Sequence, residues 1–205
     1  DLARLVADVP QDTLQVLARV DGLKLPAVLD APERLSLLIR APREGRDASI
    51  RTLQSVMLRI LTSFPPGKAR FLILDPVGLG QNFSAFLHLA DYAPMLVHDR
   101  IWTEPRHIEE QLTNLAEHLE QVIQKYLRNQ FESIEEYNRV AGEVAEPYRF
   151  LVIADFPTHF SEQAVHRLKS ILNSGPRCGV HTLIFADARA PLPAGLDLAD
   201  LQRGA

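Results

Sequence analysis

The stretch LLIRAPREGRDASIRTLQSVM, residues 37–57, sets the fold. An apolar run enters a turn that holds one glycine, and an amphipathic segment leaves it with Ile50, Leu53, Met57, Ile60 and Leu61 on one helical face. Strand, glycine-bearing turn and helix in that order trace the outline of a loop that cradles phosphate at a helix N-terminus. The lysine such a loop needs is missing, and Asp47 stands at the expected helix entrance. Asp47 is read as the N-cap, its carboxylate accepting from the free amides that would otherwise hold an anion, an interaction worth about 0.5–2 kcal/mol.

Working outward, LSLLI (35–39), RFLILDP (70–76), PMLVHD (94–99), YRFLVIADF (148–156) and VHTLIFAD (180–187) read as five strands. Between Arg106 and Asn129, Ile108, Leu112, Leu115, Leu119, Val122 and Tyr126 recur at spacings of four and three, predicting a long helix with one apolar stripe. The same spacing suits a coiled coil, but inside a mixed chain it points to domain packing. ESIEEYNRV follows as a short helix, and Ser161 is placed to cap a helix over 161–173. Apolar strands alternating with amphipathic helices imply an α/β fold of three layers, a mostly parallel sheet with helices on both faces. Ligands in such folds bind beyond the C-terminal ends of the strands, here 40–49, 75–82, 154–158 and 186–190.

A chain of 205 residues with 46% hydrophobic and 23% charged residues suits one well-cored domain. Residues 1–25 read as an N-terminal extension or linker, 26–187 as the core and 188–205 as a tail, the whole taken as a piece of a larger protein. A net charge of −4 argues against a chain built mainly to coat nucleic acid. Cys178 stands alone, which excludes an internal disulfide and fits a reducing compartment. No apolar run reaches the roughly 18 residues of a membrane-spanning helix. The seven histidines are scattered without zinc-ligand spacing. Trp102, in a polar loop, reads either as a partner anchor or as a cap on the core.

The pieces RFLILDPVGLG, FLHLAD, the long helix ending in Arg128, Ile134, Tyr137 and Asn138, YRFLVIADF and LKSILNSGPRCGVHTLIFAD, in that order from Pro26 to Asp187, resemble the motor domain of the FtsK/SpoIIIE family of DNA translocases. The resemblance implies a RecA-like P-loop ATPase fold, ATP and magnesium as cofactors, neighbouring ATPase domains or subunits in a hexameric ring as partners, double-stranded DNA as cargo, and a cytoplasmic place within a larger, membrane-associated protein.

The chemistry residues depart from that pattern at each crucial point. The phosphate loop maps onto Ala41 through Ala48, where Gly45 is the retained glycine, Asp47 replaces the lysine and Ala48 the magnesium-binding hydroxyl. Arg43 and Arg46 are the cations nearby. The Walker B acidic pair maps onto Ala154 and Asp155; a slip of one residue makes Asp155 the metal aspartate and leaves Phe156 in place of the base. The sensor glutamine becomes Asp187, and Arg177 lies one place beyond the family's arginine. Asp75, at a strand end before proline, reads as a turn residue or, with Asp155 and Asp187, as part of an acidic edge able to hold a cation. The implied function is a degenerate ATPase domain with a structural or regulatory role in a larger motor or translocation assembly, presenting Arg177 or the Arg43/Arg46 pair to another subunit's nucleotide. An active DNA translocase and a plain interaction module are the alternatives.

Overall fold

A computed structural model describes residues 34–128 and 130–204, apart from 95, 98 and 99, together with Leu29 and Pro32. The extension read over 1–25 and, of the seven histidines, His98 lie outside these residues.

Four parallel strands, β1 (Leu37–Ala41), β2 (Ala69–Leu74), β3 (Tyr148–Phe156) and β4 (Val180–Asp187), pair in the order β1-β4-β3-β2. The last strand is thus inserted between the first and third, and this brings the ends of β1, β4 and β3 side by side. Period-two alternation divides the apolar residues between two faces. Phe71, Ile73, Phe150, Val152 and Ala154 join Leu53, Met57 and Ile60 of helix α1 (Arg46–Ser63) in one core. Leu72, Leu74, Leu151 and Ile153 join helix α3 (Pro105–Val122) and helix α5 (Glu162–Ser174) in the other. Both sheet faces are therefore covered, as expected for near-continuous apolar strands. Three short helices complete the described elements: α2 (Ser84–Leu87), α4 (Ile134–Ala141) and α6 (Leu198–Arg203).

The expected strand in PMLVHD is not formed as such among the described residues. The segment instead touches β2 at two points: Val97 bridges Phe71, and Trp102 bridges Leu74. The Phe71 amide donates to Leu96 O at 2.8 Å and the Trp102 amide to Ile73 O at 3.0 Å, so the segment covers the sheet edge without building a regular ladder. Trp102 packs on the α3/α5 core with Arg100 over its ring, which makes it a cap on the core.

The apolar stripe of α3 is buried from Ile108 to Val122, but the next turn departs from it. Residues Ile123–Leu127 form a π-turn, closed by the Arg128 amide on Ile123 O at 3.0 Å. The wider turn rotates the following residues, so Leu127 is fully buried while Tyr126 is only half-buried and meets the Tyr137 ring at 5.0 Å. Asn138 pairs with Glu146 through both its amide nitrogen, which donates to Glu146 O at 2.9 Å, and its oxygen, which accepts from the Glu146 amide at 2.8 Å. Ser161 caps α5, accepting from the Ala164 amide at 3.0 Å, and its hydroxyl donates to the Glu109 carboxylate of α3.

His181, in the middle of the sheet, is 1% exposed and stacks on Phe150 at 5.7 Å. Burial lowers its pKa from 6.5 to about 4. The unfolded chain therefore binds this proton first, so the stability it confers is present above pH 6.5 and is lost as pH falls toward 4. Between about pH 7 and 5 this one group accounts for a loss of about 2 kcal/mol. Urea unfolding at both pH values checks it: His181→Phe narrows the difference by about that amount.

Candidate functional site

The loop after β1 is short and already folded on itself. Arg43–Gly45 form a single 3-10 turn in which the Gly45 amide donates to Pro42 O at 2.8 Å and the Arg46 amide to Arg43 O. The chain leaves this turn in helical conformation, with φ −54° and ψ −52° at Arg46, and α1 starts there. Gly45 is the N-cap, and no side chain accepts from the first-turn amides. Asp47 is therefore not the cap that sequence reasoning expects. It lies one residue inside the helix, 81% exposed, with Arg46 Nη1 3.8 Å away. At that position the carboxylate acts only as a favourable charge near the helix N-terminus. Ser49 is buried and donates to Gly45 O at 2.9 Å, tying the turn to α1.

Arg46 reaches across the strand ends to Asp155. Its Nε donates to Oδ1 at 2.6 Å and its Nη2 to Oδ2 at 2.7 Å, a two-point fork in which the side chains are only 20% and 10% exposed. The Asp155 hydrogen bonds hold the Arg46 guanidinium charged even more firmly than usual, against the opposing effect of burial.

The end of β3 is distorted to place this carboxylate. Pairing with β4 slips between Ile153 and Phe156, and Asp155 has φ +55°. Aspartate is among the few residues that tolerate this left-handed conformation. Without the bulge, Phe156 would share a face with Ala154; instead it packs in the α3/α5 core beside Phe160.

Arg43, Arg46, Val77, Asp155, Thr158, Phe185 and Asp187 line a cleft of about 270 Å³ at these strand ends. Asp187 accepts from the Arg189 amide at 2.9 Å, and the Arg189 guanidinium pairs with Glu44 at 2.8 Å across the lip. Backbone and Arg189 hydrogen bonds lower the Glu44 pKa. Arg43 is exposed and makes no side-chain bond to another described residue. Ala48 is exposed on α1 outside the cleft lining.

The structure thus brings Arg43, Arg46, Asp155 and Asp187 together, ties Asp75 into its own loop and places Arg177 elsewhere. Asp75 is fully buried and serves its own loop, accepting from the Gly78 amide at 3.0 Å, the Asn82 amide at 3.3 Å and Asn82 Nδ2 at 2.9 Å. The expected acidic edge of three aspartates does not form, and no cluster of three or more acidic, histidine or cysteine side chains suited to a metal occurs among the described residues. Arg177 lies at the opposite end of the sheet, before the first residue of β4, and its Nε donates to Glu132 O at 2.6 Å. Its expected place at the ligand edge is corrected accordingly. Sequence reasoning did not single out Thr158, Val77 or the Glu44–Arg189 pair, although all four residues lie within the strand-end segments it marked.

No protein-family model matches the sequence, and no curated protein sequence matches it either. Solved structures share its fold. The monomer form of the pCW3 conjugation coupling protein TcpA with ATPγS aligns at 14% identity and TM-score 0.61, covering 82% of this chain and 46% of that one. EssC (ATPases 2 and 3) from Geobacillus thermodenitrificans aligns at 17% identity and TM-score 0.62, covering 82% and 30%. The cytoplasmic domain of the Thermomonospora curvata type VII secretion ATPase EccC aligns at 21% identity and TM-score 0.52, covering 87% and 22%. The chain therefore shares its α/β fold with these proteins and spans less than half the length of each of them.

Gly78 tests the Asp75 turn. A Cβ there would lie 2.6 Å from both Asp75 carboxylate oxygens and 2.0 Å from Asn82 Nδ2. Gly78→Ala is expected to cost about 2 kcal/mol in urea unfolding, because the buried carboxylate loses its donors.

Proposed function

We propose that this chain is a degenerate ATPase-fold domain that serves a structural or regulatory role inside a larger motor or secretion assembly and does not hydrolyse ATP by itself. The Arg46–Asp155 fork is the observation that carries this reading. It joins the position of the phosphate loop to the position of the Walker B carboxylate, so each charge that would serve nucleotide or metal is spent on the other.

The residues present do not fit a magnesium–nucleotide complex. A phosphate loop needs free amides, a lysine to reach the β and γ phosphates and a hydroxyl for the metal. Here the amides of Gly45 and Arg46 are used inside the 3-10 turn, Asp47 carries the wrong charge, and Ala48 has no side-chain hydroxyl.

Partners follow from the company such folds keep. EssC carries several ATPase domains in one chain, and TcpA is a conjugation coupling protein. Neighbouring ATPase domains or subunits, arranged on the cytoplasmic side of a membrane-associated assembly, are the partners this reading assigns. Arg43, exposed at the ligand edge, is the side chain it places toward a neighbour's nucleotide. Double-stranded DNA is not favoured: the exposed face of α3 carries Glu110, Glu117 and Glu120, and only Lys125 and Arg128 follow in the next turns.

Calorimetric titration with magnesium and ATP tests the reading. No saturable binding is expected at millimolar nucleotide. Micromolar binding that disappears in Arg46→Glu would overturn it.

A further inference from the structure

A second polar site lies near the beginnings of β2 and β3, away from the strand ends that form the cleft. Arg70 and Arg149 are register partners on these two adjacent parallel strands, and their side chains line a cavity of about 120 Å³ beneath α3 together with His118, Gln111 and Asn114. Neighbouring strands are only about 4.8 Å apart, so two guanidinium groups at paired positions repel unless an anion lies between or beside them. One carboxylate, Glu146, stands at ion-pair distance here, facing two arginines and a histidine. Glu146 Oε1 is 3.8 Å from Arg149 Nη2 and 3.9 Å from His118 Nε2, beyond hydrogen-bond reach of either. Arg70 has no carboxylate partner among the described residues.

The consequence is visible atom by atom. Arg70 Nε, Arg149 Nε and His118 Nε2 are all buried without a hydrogen-bond partner among the described residues. Buried donors left unmade are costly and rare, and here three converge on one cavity from two strands and a helix. Burial and the neighbouring arginines also lower the His118 pKa to about 4, and burial together with Arg70 lowers that of Arg149. Burial is the larger cause of both shifts, and like charge adds to it. The cavity exceeds the roughly 10–15 Å³ that a single water requires, so a small polyatomic ion has room.

We propose that the Arg70–Arg149–His118 pocket is an anion site that takes a phosphate-class oxyanion, either free inorganic phosphate or the phosphate of a small phosphomonoester. Two neighbouring guanidinium groups on the sheet and an imidazole on the helix line the same cavity. That arrangement suits a tetrahedral acceptor with several oxygens. This site is independent of the cleft at the strand ends and of the reading given to it.

The test is thermal unfolding of the full 205-residue chain in increasing inorganic phosphate, with chloride balancing ionic strength. A saturable rise in the midpoint is expected, abolished in both Arg70→Gln and Arg149→Gln. No saturable rise, or the same rise in both variants, would overturn the proposal; the second result marks general salting by phosphate. A parallel measurement on the unmodified chain remains decisive where a variant does not fold. Phosphate is expected to raise the His118 pKa, followed by its ring-proton NMR signals, by at least about one unit, and an unchanged pKa overturns the proposal. An AMP arm separates the sources: a response to phosphate alone assigns the free ion, and a response to both assigns a phosphomonoester.

Discussion

The fork between Arg46 and Asp155 spans 109 residues of chain and joins the first residue of α1 to the bulged end of β3. The rest of the ligand edge is arranged around it. The loop after β1 reaches Arg46 through a tight 3-10 turn, and β4, inserted between β1 and β3, holds the two partners at a fixed spacing. Both side chains are mostly withdrawn from water, so removing either one strands the other's charge. Stranding a withdrawn charge typically costs more than the roughly 0–1 kcal/mol that exposed pairs contribute. Glu44–Arg189, exposed at the lip, belongs to the weaker class and closes the edge without governing it.

The fork constrains the backbone as well. A strand that kept its alternation to the end would send Asp155 toward the α3/α5 core and Phe156 toward α1. The slip in pairing and the left-handed φ at Asp155 reverse that outcome, burying Phe156 and freeing the carboxylate for Arg46. An ordinary residue would carry this conformation at a cost, and aspartate carries it more readily. The bulge therefore fits the fork, with the side chain that uses the strained position also the one that tolerates it.

Much of the architecture was legible because it is local. The four strands are largely apolar runs of ordinary strand length, three of them mostly buried, the stripe from Ile108 to Val122 has helical period, and Ser161 caps as its position indicates. The failures occur where distance or a change of local geometry decides. Asp47 has the better capping chemistry, yet the 3-10 turn puts the cap two residues earlier, at Gly45, and leaves Asp47 exposed. The π-turn after Val122 carries no sequence mark and exchanges Leu127 for Tyr126 in the core. Arg43, Arg46, Asp155 and Asp187 were legible as candidates from their places at strand ends, but the partnership of Arg46 and Asp155 was not. Arg177 was placed by a motif offset, and a short turn before β4 puts it at the other end of the sheet. Asp75 had two readings, as a turn residue and as part of an acidic edge, and in the structure it accepts from the donors of its own loop.

A double-mutant cycle tests directly whether the fork is one energetic unit. Arg46→Met removes the donor, Asp155→Asn removes the charge while keeping a residue that tolerates the left-handed backbone, and urea unfolding compares both with the double variant. The predicted coupling is about 2 kcal/mol, with the double variant much less destabilised than the sum of the singles. Single-variant costs that add to within about 0.5 kcal/mol would contradict it.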